Sequence, residues 1–286
     1  MDNTLSSNLE RIKNATNDLR ELTQLTEEDP IEDIVAEVDI MSKKEDVSEC
    51  FTTSFPNGTG NTTGWSKTLK KFPAINPPSS TTDWMFFFQD FPFPQIDLSK
   101  FTRQTVNNAA QMFLNSKLTS IDMSKFNLSN CTSIEFMFAN SGWIKELDLS
   151  SCGISTSIQT TMRAFDGCWS LQTIDLRFLH TCPLSMSYRM FYGCSSLKNV
   201  DLSNFNISST TPNMLEMFYN CTSLEKLDIR SFEFSKLTQG DSVSNMFYKV
   251  PVNCLIIVKN QTEKDWLVDK FPTMTNIKTI SEYEGA

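Results

Sequence analysis

The chain has 286 residues, 40% of them hydrophobic and 21% charged, so it can bury a sizeable core and is not a wholly disordered chain. Its net charge of −9 resides in residues 1–50, because acidic and basic side chains balance after Cys50. No part is basic, which argues against a nucleic-acid partner, and the single histidine, His180, excludes sites that need two imidazoles. The nine glycines form no phosphate-binding loop, so the sequence predicts no enzyme, no cofactor and no metal site.

Residues 1–45 are predicted to be a helical anchoring or oligomerisation segment. Its first helix has an apolar seam whose spacings alternate between four and three residues, formed by Leu5, Leu9, Ile12, Thr16 and Leu19. A second helix is predicted to begin at Asp29-Pro30, with aspartate as the N-cap and proline in the first turn. The two helices either form a hairpin that caps the rest of the chain or dock the chain onto partner proteins.

The first twenty residues also resemble the N-terminal segments of many phage tail, baseplate and fibre proteins. Those segments run as an Asn-rich amphipathic helix, a polar break and a second small helix, and here Ile12, Ala15 and Leu19 match. The resemblance implies that residues 1–45 bind other virion proteins and that the protein is a homo-oligomer. Residues 1–28 show no signal peptide and no later window is apolar enough to span a membrane, which is expected of a virion protein assembled in a host cytoplasm.

Residues 46–81 are predicted to be a linker and the N-terminal cap of the domain that follows. Residues 56–64 and 77–80 are rich in proline, glycine, serine, threonine and asparagine, which is the composition of a linker. Between them, apolar residues such as Trp65, Leu69 and Phe72 predict an irregular first coil that seals one end of the repeats.

Residues 82–250 contain a unit that recurs every 25–29 residues. The segment 190–205 returns 27 residues later as segment 217–232. A Met-Phe pair anchors most copies, and the anchoring phenylalanines are Phe86, Phe113, Phe138, Phe165, Phe191, Phe218 and Phe247. Because this ring never changes, we expect it to fill the same interior position in every copy.

Each unit also contains a strand pattern, which is clearest in Leu197-x-x-Val200-Asp201-Leu202. This pattern and the period are typical of leucine-rich repeats. Between strands, the spacing of Met214, Met217 and Phe218 favours about two turns of helix. The predicted fold is therefore α/β: a leucine-rich-repeat solenoid of about seven coils, with a parallel sheet and short helices, preceded by a small α-helical N-terminal segment.

The unit Met-Phe-Tyr-x-Cys-x-Ser-Leu-x-x-Leu-Asp-Leu-Ser-x-Phe resembles the BspA-like leucine-rich repeats of bacterial surface proteins, protozoan surface proteins and some phage genes. The resemblance covers about residues 82–280, and residues 251–286 resemble that family's C-terminal cap of a strand and a helix. It implies adhesion or ligand contact. Two functions are therefore expected: a non-enzymatic virion protein of a phage tail, baseplate or head fibre that attaches to a host surface, or a cellular surface adhesin or protein-interaction scaffold.

The polar residues between the inward apolar positions of the strands form the candidate contact face. They are Thr119, Ser120, Lys145, Glu146, Gln172, Thr173, Lys198, Asn199, Glu225 and Lys226. Their mixed charge suits a host cell-surface glycan or protein, and an ordinary solvated sheet is the alternative interpretation.

Two further columns of equivalent residues have alternative interpretations. Six aspartates either bind a cation or a carbohydrate or, as we favour, accept backbone hydrogen bonds at the corner that follows each strand. They are Asp97, Asp122, Asp148, Asp175, Asp201 and Asp228. Cys168, Cys194 and Cys221 are predicted to be buried thiols, because a column of this kind does not converge on a zinc ion.

Overall fold

The computed structural model describes residues 82–96, 98, 101–153, 155–179, 186–205, 213–237 and 240–285. All of them belong to the larger of two compact units. They form a mixed α/β fold with parallel strands and few helices. The predicted anchoring segment 1–45, with the seam residues Leu5, Leu9, Ile12 and Leu19, and the predicted linker and cap of 46–81 lie outside the described residues.

The strands in the described residues are short and pair in parallel. They are β1 (Gln104–Thr105), β2 (Phe126–Asn127), β3 (Glu146–Asp148), β4 (Thr173–Asp175), β5 (Asn199–Asp201), β6 (Lys226–Asp228), β7 (Leu255–Val258) and β8 (Ile277–Thr279). β1 pairs with β2, β3 pairs with β4, and β5 to β8 form a four-stranded sheet in chain order. Pairing joins equivalent positions of successive units, since Asp148 lies opposite Asp175 and Asp201 lies opposite Asp228.

The strand predicted around Asp122 is absent, and residues 118–122 are irregular. The preceding unit contains Pro94 at the position equivalent to Thr119. Thr119 still contacts that unit, because its backbone N–H and its Oγ1 donate to the Pro94 carbonyl at 2.8 and 3.0 Å. Regular pairing in this part of the chain occurs instead between β1 and β2.

A column of stacked phenylalanine rings runs through the core, as the repeat predicted. Its members are Phe88, Phe113, Phe138, Phe165, Phe191, Phe218 and Phe247. Neighbouring ring centroids are between 4.9 and 6.1 Å apart, and the rings are within 12° of parallel. The prediction was wrong for the first member, which is Phe88 and not Phe86. Phe86 is instead equivalent to Gln111 of the next unit. The Phe86 N–H donates to the Ala110 carbonyl, and the Gln111 N–H donates in the same way to the Glu135 carbonyl one unit further on.

The segments that precede the strands are successive turns, so the predicted two-turn helix is wrong. Between residues 213 and 220, Glu216 and Asn220 have φ angles of 56° and 62°, which a right-handed helix cannot contain. The same left-handed positions recur in the other units. They turn alternate peptide groups toward the neighbouring unit: Phe191 N–H donates to the Met217 carbonyl at 2.9 Å, and Gly193 N–H donates to the Tyr219 carbonyl at 2.8 Å.

Two α-helices close the described part of the chain, α1 (Gln261–Lys270) and α2 (Ile280–Glu284). The strand and helix predicted after Cys254 are therefore present as β7 and α1. Asn260 caps α1 by accepting from Glu263 N–H at 3.1 Å. The buried Glu263 carboxylate in turn accepts from the backbone N–H and the hydroxyl of Ser235 at 3.0 and 2.6 Å, which fixes α1 to the preceding unit. Among the described residues, no helix is long and apolar enough to cross a membrane.

Candidate ligand-contact face

Eight of the ten residues of the candidate contact face are exposed, and Thr119 and Lys226 are half-buried. Backbone hydrogen bonds connect the residues of successive units. Gln172 N–H donates to the Lys145 carbonyl at 2.7 Å, Lys198 N–H to the Gln172 carbonyl at 3.3 Å, and Glu225 N–H to the Lys198 carbonyl at 2.8 Å. The structure thus brings the candidate residues of four consecutive units together, whereas Thr119 and Ser120 lie on the irregular segment 118–122.

The exposed charges of the face interact weakly with one another. Lys198 Nζ lies 3.9 Å from Glu225 Oε1, and both side chains are more than half exposed. A pair of this kind contributes less than about 1 kcal/mol to stability, because water screens it. Both charges are therefore available to a ligand at little cost.

Helix α2 covers one end of the face. Lys226 Nζ donates to the Tyr283 hydroxyl at 2.8 Å and lies 4.7 Å from the centre of that ring. Arg230 also bonds the Glu284 carboxylate at 2.9 Å. Lys226 is for this reason half-buried, and a ligand that contacts it has to compete with Tyr283.

Regular strand pairing is interrupted between β4 and β5. An open groove of about 410 Å³ lies over β3 and β4 and reaches Asp201 of β5. Its polar lining includes Glu146, Thr173 and Arg177. A second groove of about 310 Å³ continues over β5 and β6 and includes Thr173, Asn199 and Lys226. Thr173 lines both grooves, and the second groove is lined by candidate face residues from both sides of the interruption.

The aspartate column accepts backbone hydrogen bonds at the corners, as predicted. In each of the five described copies, one carboxylate oxygen accepts the N–H two residues later at 2.8 to 3.2 Å; the copies are Asp122, Asp148, Asp175, Asp201 and Asp228. The side-chain and backbone hydrogen bonds of Ser150 hold the pKa of Asp148 below its usual value. Asp97 lies outside the described residues. No group of three or more metal-ligating side chains occurs in the described ranges.

The cysteine column consists of buried free thiols. The Sγ atoms of Cys168, Cys194 and Cys221 each donate at 3.1 Å to a phenylalanine carbonyl of the preceding unit. Burial raises the pKa of all three thiols well above the usual value. The raised pKa keeps these three cysteines protonated at neutral pH.

Ser141 occupies the equivalent position in an earlier unit, and its hydroxyl donates to the Phe113 carbonyl. We therefore expect Cys194→Ser to keep the hydrogen bond to the Phe165 carbonyl and to change the free energy of unfolding by less than about 1.5 kcal/mol at pH 7. Burial raises the pKa of the Cys194 thiol in the folded protein above the value of 9.0 that a free thiol has. The contribution of this thiol to the free energy of unfolding is therefore complete below pH 9, and it declines at higher pH because the thiol ionises in the unfolded chain. Urea unfolding at pH 7 and pH 10 should show a smaller alkaline loss for Cys194→Ser than for the parent. An equal loss would contradict this account.

A second column, which the sequence analysis did not single out, consists of partly exposed tyrosines. Tyr192, Tyr219 and Tyr248 occupy one position in three successive units and stack with centroid distances of 4.6 Å. We call these three residues the tyrosine ladder. The signal was present in the sequence as tyrosine directly after the invariant phenylalanine in the last three units.

Parallel pairing of equivalent positions and the stacked core define the chain as a repeat protein of mixed α/β fold. The family model described as "Mycoplasma protein of unknown function, DUF285" matches residues 78–152 and 156–280, which is more than half of the chain. The chain belongs to this family. No curated protein and no solved structure matches it.

Proposed function

We propose that the protein is a non-catalytic attachment protein whose units form a leucine-rich-repeat solenoid of about seven coils of the BspA-like type. The observation that carries this proposal is the candidate contact face, on which exposed polar side chains of four consecutive units are held in register by backbone hydrogen bonds. Repeat proteins of this kind bind partners through such extended surfaces. The ligand class is a cell-surface glycan or protein.

The chemistry of the described residues supports binding over catalysis. The aspartates beside the face use an oxygen to hold the corner of their own unit, and the thiols are buried. The charged residues of the face, such as Lys198 and Glu225, are exposed and loosely paired. Side chains of this kind form hydrogen bonds and ion pairs with a partner without being activated for proton or group transfer.

Two settings are proposed for this activity. A cell-surface adhesin or interaction scaffold is supported by the repeat unit, which resembles the repeats of bacterial and protozoan surface proteins. A virion protein, docked as a homo-oligomer through residues 1–45 to other virion proteins, is supported by Ile12, Ala15 and Leu19, which match the phage pattern. Mass spectrometry separates the settings: stoichiometric copies in purified particles support the virion, and recovery from cell-surface fractions supports the adhesin.

The contact face is tested by a double substitution, Lys198→Ala with Asn199→Ala. We expect it to weaken binding of the labelled full chain to a panel of animal and bacterial cells by about fivefold or more, the equivalent of one or two lost hydrogen bonds. The matched control is Thr262→Ala with Lys270→Ala, which removes a similar exposed pair from α1. Equal binding by the two double variants on every cell type would refute the role of the face.

A further inference from the structure

The tyrosine ladder differs from the phenylalanine column in both spacing and exposure. Its rings are 4.6 Å apart and within 24° of parallel, closer than any neighbouring pair in the phenylalanine column. Tyr192 and Tyr219 are half-buried, and Tyr248 is 47% exposed. The equivalent positions of earlier units hold other residues, such as Leu114, Ala139 and Asp166. The ladder is thus a local surface feature and not a requirement of the repeat.

The three ladder hydroxyls form no hydrogen bond within the part of the chain that the structure describes. Tyr283 differs, because its hydroxyl accepts from Lys226. A phenol can both donate and accept a hydrogen bond, so the ladder presents three donor and acceptor groups in a row. Burial, followed by the neighbouring tyrosines Tyr248 and Tyr192, raises the pKa of Tyr219. Like any tyrosine hydroxyl, this group is protonated and able to donate at neutral pH.

Cations lie over both ends of the ladder. The Arg189 guanidinium lies 4.1 Å from the centre of the Tyr192 ring and is held by Glu216 at 2.6 Å, and Lys249 Nζ lies 5.6 Å from the centre of the Tyr248 ring. The ring faces are therefore used within the protein. The ring edges and the hydroxyls remain accessible to a ligand. A ligand that forms hydrogen bonds is therefore favoured over one that buries an apolar group against the rings.

The size of the ladder favours a small ligand. Two spacings of 4.6 Å separate its outer rings, whereas a stable protein interface buries about 800 Å² on each partner. Stacking has already fixed the side-chain rotamers, so binding costs little conformational entropy. A ligand that fits is narrow, linear and rich in hydroxyl groups.

We infer that the tyrosine ladder is a binding site for a short oligosaccharide, with the hydroxyls of Tyr192, Tyr219 and Tyr248 contacting successive sugar residues and with Arg189 and Lys249 at its ends. This site is separate from the candidate contact face. It lies on the turn segments that precede the strands, whereas eight of the ten residues of the face lie on β3 to β6 or directly beside them.

The test uses the full chain and an array of short linear oligosaccharides built of hexoses, N-acetylhexosamines or uronic acids, followed by calorimetric titration with the strongest binder. The variant Tyr192→Phe/Tyr219→Phe/Tyr248→Phe removes only the hydroxyls and keeps the stack. We expect its affinity to fall at least about tenfold, which is the effect of losing several neutral hydrogen bonds. The control Tyr283→Phe, outside the ladder, should bind as the parent does.

Several results would overturn the inference: no oligosaccharide binds the parent, the triple variant binds as tightly as the parent, or Tyr283→Phe causes the same loss. A protein ligand whose binding falls in the triple variant, while no oligosaccharide binds, would also overturn it. The double variant Lys198→Ala with Asn199→Ala should retain oligosaccharide binding at the ladder. The proposal for the tyrosine ladder and the proposal for the candidate contact face are therefore tested independently of each other.

Discussion

Replacing Phe191 by alanine is expected to lower the free energy of unfolding by about 3–5 kcal/mol. The ring is fully buried, and its centroid lies 5.4 Å from that of Phe165 and 5.6 Å from that of Phe218. Its removal leaves a cavity between two rigid rings, which cannot close because backbone hydrogen bonds hold the units at a fixed distance. Urea unfolding followed by circular dichroism measures the loss.

The control for this substitution is Tyr188→Ala in the same unit. Tyr188 is half-buried and lies outside the phenylalanine column, so its loss should cost no more than about 1 kcal/mol. If Phe191→Ala unfolded at the same urea concentration as Tyr188→Ala, the phenylalanine column would not be the structural core that its burial indicates.

Gly142→Ala is expected to destabilise the protein by about 1–3 kcal/mol, because a Cβ atom at this position would overlap the indole ring of Trp169. The ring is further confined by Trp143, whose centroid lies 6.0 Å away. Steric overlap, and not backbone conformation, is the cause, since the φ angle of Gly142 lies outside the left-handed region.

This cause is checked in the background of Trp169→Ala. Once the indole is gone, Gly142→Ala should raise the free energy of unfolding by roughly 0.4–1 kcal/mol, because alanine restricts the unfolded chain more than glycine does. A double-mutant cycle, measured by thermal unfolding, gives the coupling free energy between Gly142→Ala and Trp169→Ala. Equal losses in the two backgrounds would show that the indole is not the cause.

Features of the fold that depend on local chemistry could be predicted from the sequence. The corner role of Asp148 and Asp201 follows from a carboxylate placed two residues before a free backbone N–H. The interior position of Phe191 follows from its invariance across the units. Phe86 was misassigned because the run Met85-Phe86-Phe87-Phe88 contains three candidate rings, and only contacts with the next unit select Phe88.

The turn segments could not be predicted from apolar spacing alone. Met214, Met217 and Phe218 are spaced as on a helix, but a succession of turns buries the same three residues. The contrary signal is the asparagine or glycine that recurs after the invariant phenylalanine, at Asn140 and Gly193 for example, since these residue types accept a positive φ. The stacking of Tyr192 on Tyr219 depends on the register between units, which the strands and turns together determine.

The units that contain Lys145, Gln172, Lys198 and Glu225 are joined along two separate lines of backbone hydrogen bonds, one at the strands and one at the turns. A single line would act as a hinge and would let each unit twist against the next. Two lines of hydrogen bonds at separate positions prevent this rotation of one unit against the next. The distance between a group on one unit and its counterpart several units away is therefore set by the backbone. A long ligand that contacts several units meets binding groups at fixed intervals.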